Sequence, residues 1–101
     1  MYYLHGKFVA REGKREELAG ILLEASELVG KIEGCKLYVV AVSEKDLNDV
    51  FVTEMWDSKE TQMVSLGDTE VKSLIKRAVP LIESISDEDR LELSAIGEYG
   101  V

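Results

Sequence analysis

Residues 50–60, Val50-Phe51-Val52-Thr53-Glu54-Met55-Trp56-Asp57-Ser58-Lys59-Glu60, pass from a strand to a helix without a linker. The β-branched and aromatic types over residues 50–56 mark an extended segment. Asp57-Ser58-Lys59-Glu60 then fits a capping box, in which the Asp57 carboxylate accepts from backbone N–H groups and Glu60 reaches back to the cap residue. A short helix is predicted from there, with Gly67 as its stop. Upstream, residues 36–43 (Lys-Leu-Tyr-Val-Val-Ala-Val-Ser) read as a strand apolar on both faces. The polar turn at residues 44–49 joins the two strands as a hairpin.

Outward from this hairpin the hydrophobic period changes twice. Leu18, Ile21, Leu22, Ala25, Leu28, Val29 and Ile32 fall at i, i+3, i+4, i+7 spacing, one stripe of an amphipathic helix over residues 14–32. Residues 2–10 before it form a first strand, ended by the turn Arg11-Glu12-Gly13. On the other side, Asp68 or Thr69 caps a further helix with the stripe Val71, Leu74, Ile75, Ala78, Ile82 and Ile85. Pro80 lacks an N–H and clashes with the carbonyl four residues back, so that helix should kink or restart near Val79-Pro80. Residues 90–96 alternate Leu91, Leu93 and Ala95 with Arg90, Glu92 and Ser94, a strand with one apolar face. The order β-α-β-β-α-β predicts an α+β fold: a ferredoxin-like sandwich of four antiparallel strands with both helices on one face.

The 101 residues, 46% hydrophobic and 32% charged, suit one globular domain over residues 1–101. In the strand order 4-1-3-2 usual for this fold, the second strand lies at an edge. Yet residues 37–42 leave neither of its faces polar, and an exposed edge of that kind invites aggregation. The sheet face away from the helices needs cover as well. A second copy of the chain is the economical answer, so a homodimer is expected. Twenty Asp and Glu against twelve Lys and Arg give a net charge of -8. That field repels phosphate backbones and anionic lipid, which argues against nucleic acid and membrane partners. A single Cys excludes an intramolecular disulfide, and residues 1–5 lack the layout of a signal peptide, so a cytoplasmic setting is expected.

The chemistry-bearing residues are few. His5 is the only histidine, so no metal cluster or Ser/His/Asp set can use more than one imidazole. Neither GxGxxG nor GxxxxGK[ST] occurs, and no metal or nucleotide cofactor is expected. His5 is a candidate base on the first strand, although a lone strand histidine is more often hydrogen-bonded or solvent-facing. Cys35 reads as a small buried hydrophobe, and Asp87-Glu88-Asp89 as a solvated loop rather than a cation site. Glu54 and Trp56 share one face of their strand. The pair could line a pocket; equally, Trp56 could anchor the core and Glu54 partner a lysine.

Val9-Ala10-Arg11-Glu12-Gly13-Lys14 before a helix, Ile32-Glu33-Gly34-Cys35 before a strand, residues 53–60, and a helix ending in Val79-Pro80-Leu81-Ile82 together resemble the antibiotic biosynthesis monooxygenase (ABM) domain. The resemblance covers nearly the whole chain, and its most specific part is residues 54–60. It implies a ferredoxin-like domain that dimerises through its sheets into an α/β barrel. Members of that family include oxygenases of phenols or quinols that use no metal or flavin, quinol-acting enzymes, haem-degrading proteins and isomerases. Many members carry a His where residues 70–75 stand here, and this chain has none, which weakens the haem-degrading reading. Trp56 carries over as a pocket residue, with Glu54 as its neighbour. The resemblance thus implies a cofactor-independent monooxygenase acting on a small aromatic, phenolic or quinol substrate. In that reading Trp56 stacks on the ring, His5 or Glu54 takes a proton, and Tyr38 donates a hydrogen bond. The alternative is a non-catalytic module that binds a small hydrophobic ligand or a partner.

Overall fold

The structure, a computed structural model, describes residues 1–97, 99 and 100. Strand β1 (Tyr2–Ala10) leads into helix α1 (Arg15–Val29), followed by the hairpin of β2 (Cys35–Val42) and β3 (Asp49–Trp56). Helices α2 (Lys59–Ser65) and α3 (Thr69–Ala78) come next, then β4 (Ile82–Ser84) and β5 (Arg90–Ser94). All pairings are antiparallel, in the order β2-β3-β1-β4, with β5 also on β1. The expected fourth strand is therefore present in two pieces. β4 pairs with the end of β1 at Val9 and Ala10, and β5 with its start from Tyr2 to Gly6.

The apolar stripes land where their spacing demands. Leu18, Ile21, Ala25 and Val29 are the buried residues of α1, and Val71 and Ala78 those of α3. They meet the sheet in two core clusters, one of Ala10, Leu18, Ile21, Val50 and Ala78, the other of Val29, Trp56 and Val71. Two local expectations are corrected. Helix α2 is capped by Ser58, whose Oγ accepts from the Thr61 N–H at 3.2 Å, while Asp57 pairs with Lys36 at 3.6 Å. The α3 stripe stops at Ala78: Val79–Leu81 form a 3-10 turn around Pro80, and Ile82 enters β4. Asp68 caps α3 as expected, accepting from Glu70 and Val71 N–H groups.

Gly34 sets how closely α2 approaches the sheet. Its φ of 97° lies in the left-handed region, and a Cβ there would collide with the Thr61 methyl. The Gly34 carbonyl accepts from the Asp57 N–H at 2.8 Å, which ties the start of β2 to the end of β3. No helix of the described residues is long and apolar enough to cross a membrane.

Leu18 is 0% exposed, whereas Leu23 on the opposite face of α1 is 54% exposed. Leu18→Ala is expected to cost about 2–5 kcal/mol in denaturant unfolding, and Leu23→Ala less than ~0.5 kcal/mol. Equal costs would contradict the orientation of α1.

Candidate functional site

Strand parity decides which side chains share a compartment. Tyr2, Leu4, Gly6 and Phe8 lie across from Trp56, Glu54, Val52 and Val50, and Tyr38 across from Glu54 on the other side. This set faces the helices, since Phe8, Val50, Trp56 and Tyr38 belong to the core clusters. Tyr3, His5, Leu37, Val39, Phe51, Thr53, Leu91 and Leu93 have the other parity and face away.

Between the sheet and the helices lies a cavity of about 290 Å³. Ile21 and Ala78 of one core cluster and Val29 and Val71 of the other border it, so it separates the two. Its wall is apolar except at Tyr38, Glu54, Gln62 and Ser65. Trp56 Nε1 donates to Glu54 Oε1 at 2.9 Å. Burial raises the Glu54 carboxyl above the ordinary carboxylate range, an effect that the Trp56 N–H and the charge of Arg90 partly offset. Burial likewise pushes the Tyr38 phenol well up, reinforced by Glu54 and Cys35. Gln62 is 4% exposed and borders the cavity. Ser65 Oγ donates to the Gln62 carbonyl at 2.5 Å.

The structure thus brings Glu54 and Tyr38 together at the cavity and sets Trp56 behind Glu54. Trp56 is 0% exposed and is not among the lining residues, so its ring holds the carboxylate rather than facing the empty space. His5 sits on the opposite face of the sheet. Its Nδ1 lies 2.9 Å from Thr53 Oγ1, and its ring stacks on Phe51 at 5.8 Å. His5 and Glu54 therefore do not meet. Among the described residues no group of three or more His, Cys, Asp or Glu is placed to hold a metal ion.

Gln62 escapes a reading of the sequence because α2 runs against its own hydrophobic pattern. The helix buries Gln62 and Ser65 and leaves Met63 and Val64 exposed. Two polar residues at i and i+3 ordinarily signal a solvated face. The only sequence signal was that inversion, an apolar pair on the wrong side of a short helix.

The model of the antibiotic biosynthesis monooxygenase family, ABM, matches residues 1–77. The chain belongs to this family. A solved structure called a "putative antibiotic biosynthesis monooxygenase", from Chloroflexus aurantiacus J-10-fl, superposes on this ABM chain with a TM-score of 0.88 at 35% identity, over 98% of this chain and 96% of that one. A protein under the same description from Deinococcus radiodurans gives a TM-score of 0.83 at 20% identity, covering 100% of this chain and 98% of its own. A conserved protein from Methanosarcina mazei Go1 gives 0.80 at 14% identity, over 91% and 89% of the two chains. The last two likenesses show the fold alone. No curated protein gives a significant match. The matched segment of the ABM chain contains Tyr38, Glu54, Trp56 and Gln62 and ends before β4 and β5.

Because the fold raises Glu54, the folded chain holds that proton more tightly than the unfolded chain does. Stability is therefore full below the unfolded value and is lost as pH rises through the folded value. Glu54→Gln keeps an oxygen for Trp56 and removes the titration. The variant is expected to be more stable than the parent at pH 7 and to lose that advantage near pH 4 in urea titrations at each pH. A pH-independent difference would refute the burial account.

Proposed function

We propose that this ABM-family protein is a cytoplasmic, cofactor-independent monooxygenase that binds a small aromatic, phenolic or quinol molecule in the helix-side cavity. One observation carries the reading: a single carboxylate, Glu54, set in an apolar wall and held by Trp56. A buried carboxylate of raised proton affinity is, when ionised, a stronger base than a surface one. A phenolic hydroxyl against Glu54 passes it a proton, and the Tyr38 hydroxyl and the Gln62 carboxamide are donors for the oxygen that becomes negative. The ring then supplies the electrons. At the ring carbon para to that oxygen, the C–H reacts with one O₂ and becomes a C=O while the phenolate C–O becomes the second C=O; the other oxygen atom leaves as water with the ring hydrogen and the proton that Glu54 took. The protein need only orient the ring and keep water from the carbanion, which the apolar faces of α1 and α3 suit. A volume of about 290 Å³ is near the lower end of the ~300–1,000 Å³ usual for small-molecule sites, which favours one or two fused rings.

The second reading, a non-catalytic binding module, draws support from Tyr38 and Glu54 together. Burial favours the protonated form of both, and a protonated pair holds a ligand by hydrogen bonds without deprotonating it.

A homodimer is part of the same proposal. Val39, Leu91 and Leu93 are 44%, 46% and 46% exposed on the sheet face away from the helices, beside Tyr3, Leu37 and Phe51. A second copy packed there would bury more than ~1,200 Å². Light scattering should give twice the chain mass at micromolar concentration; a folded, stable monomer would remove the dimer.

Oxygen uptake with a panel of quinols and anthrones tests the activity. Turnover is expected with at least one compound, lowered ~10²–10⁴-fold in Glu54→Gln and nearly unchanged in His5→Gln. Ligand-dependent Trp56 fluorescence without oxygen uptake would select the binding module, and no response in either assay would sink both.

A further inference from the structure

A second compartment of about 200 Å³ adjoins the main cavity. Phe8, Glu54 and Ile85 wall both spaces, so the two meet at Glu54. Gly6 borders the second one from the middle of β1, paired with Val52 on one side and Arg90 on the other. Glycine inside a central strand adds no packing and loses the most backbone entropy, and it often marks a close approach of another molecule. Packing does not demand it here, since a Cβ on Gly6 would meet no atom within 4 Å. The strand is left bare beneath open space.

Arg90 borders that space from the paired strand. Its guanidinium pairs with Glu92 through Nη1 at 3.7 Å, too long for a hydrogen bond, and lies beside the Tyr2 hydroxyl, while Glu92 is engaged more closely by that hydroxyl at 2.7 Å and by Lys59 at 3.1 Å. Lys7, the other cation at the compartment, pairs with Asp89 at 3.5 Å. Arg90 thus retains N–H donors in the planar fork that matches a carboxylate.

The geometry points to a two-part ligand: an apolar ring in the main cavity and a carboxylate arm that passes Glu54, lies over Gly6 and ends on the Arg90 guanidinium. The substrate class is then a small aromatic acid rather than a neutral phenol. The inference rests on the reading of the main cavity as a ligand site. Gly6 and Arg90 give the arm its room and its counter-charge, and the shared wall at Glu54 puts the ring's reacting position next to the carboxylate held by Trp56.

Calorimetry at pH 7 with 6-hydroxy-2-naphthoate and 2-naphthol, which differ only in the carboxylate, tests this against the parent reading. The naphthoate is expected to bind about tenfold tighter or more, the order of one hydrogen bond between charged groups. Arg90→Gln should abolish that preference while leaving 2-naphthol affinity within about threefold, well under one such bond. Gly6→Val, a β-branched residue in a strand with room for it, should fold and lose the naphthoate selectively. Equal affinity of the two compounds, or a preference that survives Arg90→Gln, would overturn the aromatic-acid assignment and leave the cavity reading standing. Should Gly6→Val fold and bind the naphthoate like the parent, the arm does not lie over Gly6 and the assignment falls. Failure of both compounds to bind would remove the cavity reading and this inference with it. If Gly6→Val does not fold, the Arg90→Gln comparison decides alone, because Arg90 is exposed and its substitution spares the core.

Discussion

The hydrogen bond from Trp56 Nε1 to Glu54 is the constraint around which the helix-side layer is arranged. Residues i and i+2 of a strand share a face, so a carboxylate and an indole two apart on β3 both enter the layer between sheet and helices. An isolated carboxylate is costly there, and the indole N–H supplies a partner without adding a charge. The carboxylate still needs room. The core accordingly closes on either side of Glu54, around Leu18 and Val50 at one end and Trp56 at the other, with the cavity between. Helix α2 then presents Gln62 and Ser65 to that space in place of its apolar residues.

The sheet divides the chain's few polar side chains between two environments. Glu54 and Tyr38 have the parity that faces the helices; His5 and Thr53 have the other and bond to each other across β1 and β3. A one-residue difference in strand position therefore separates two candidate bases by the full thickness of the sheet. The acidic group reaches the cavity and the imidazole does not.

The split fourth strand has a comparable effect. Pro80 ends α3 and turns the chain into β4, which pairs with only the last two residues of β1. The chain then leaves the sheet and returns as β5 against the first half of β1. That excursion carries Ile85 to the junction of the two compartments and brings Arg90 beside Gly6. A continuous strand would have kept its pairing along β1 and left no gap between the two pieces.

Local chemistry made most of the fold legible. Tyr2–Ala10 follows from its strand-forming residues, α1 from a stripe whose buried members are those the spacing selects, and the start of α3 from Asp68. The alternation along β3 fixed that Glu54 and Trp56 share a face, and the strand order usual for this element sequence placed β2, a strand without a polar face, at the edge. What no local rule could supply was which of the two faces meets the helices, because both phases of β1, β2 and β3 carry large apolar residues. Packing against α1 and α3 decided it, and with it the separation of His5 from Glu54 and the place of Trp56 behind the cavity wall. The same holds for Gln62, Gly6 and Arg90. Each looks ordinary along the chain, and each acquires its place only when segments distant in sequence enclose a space, since a cavity is a property of surfaces brought together and not of any one of them.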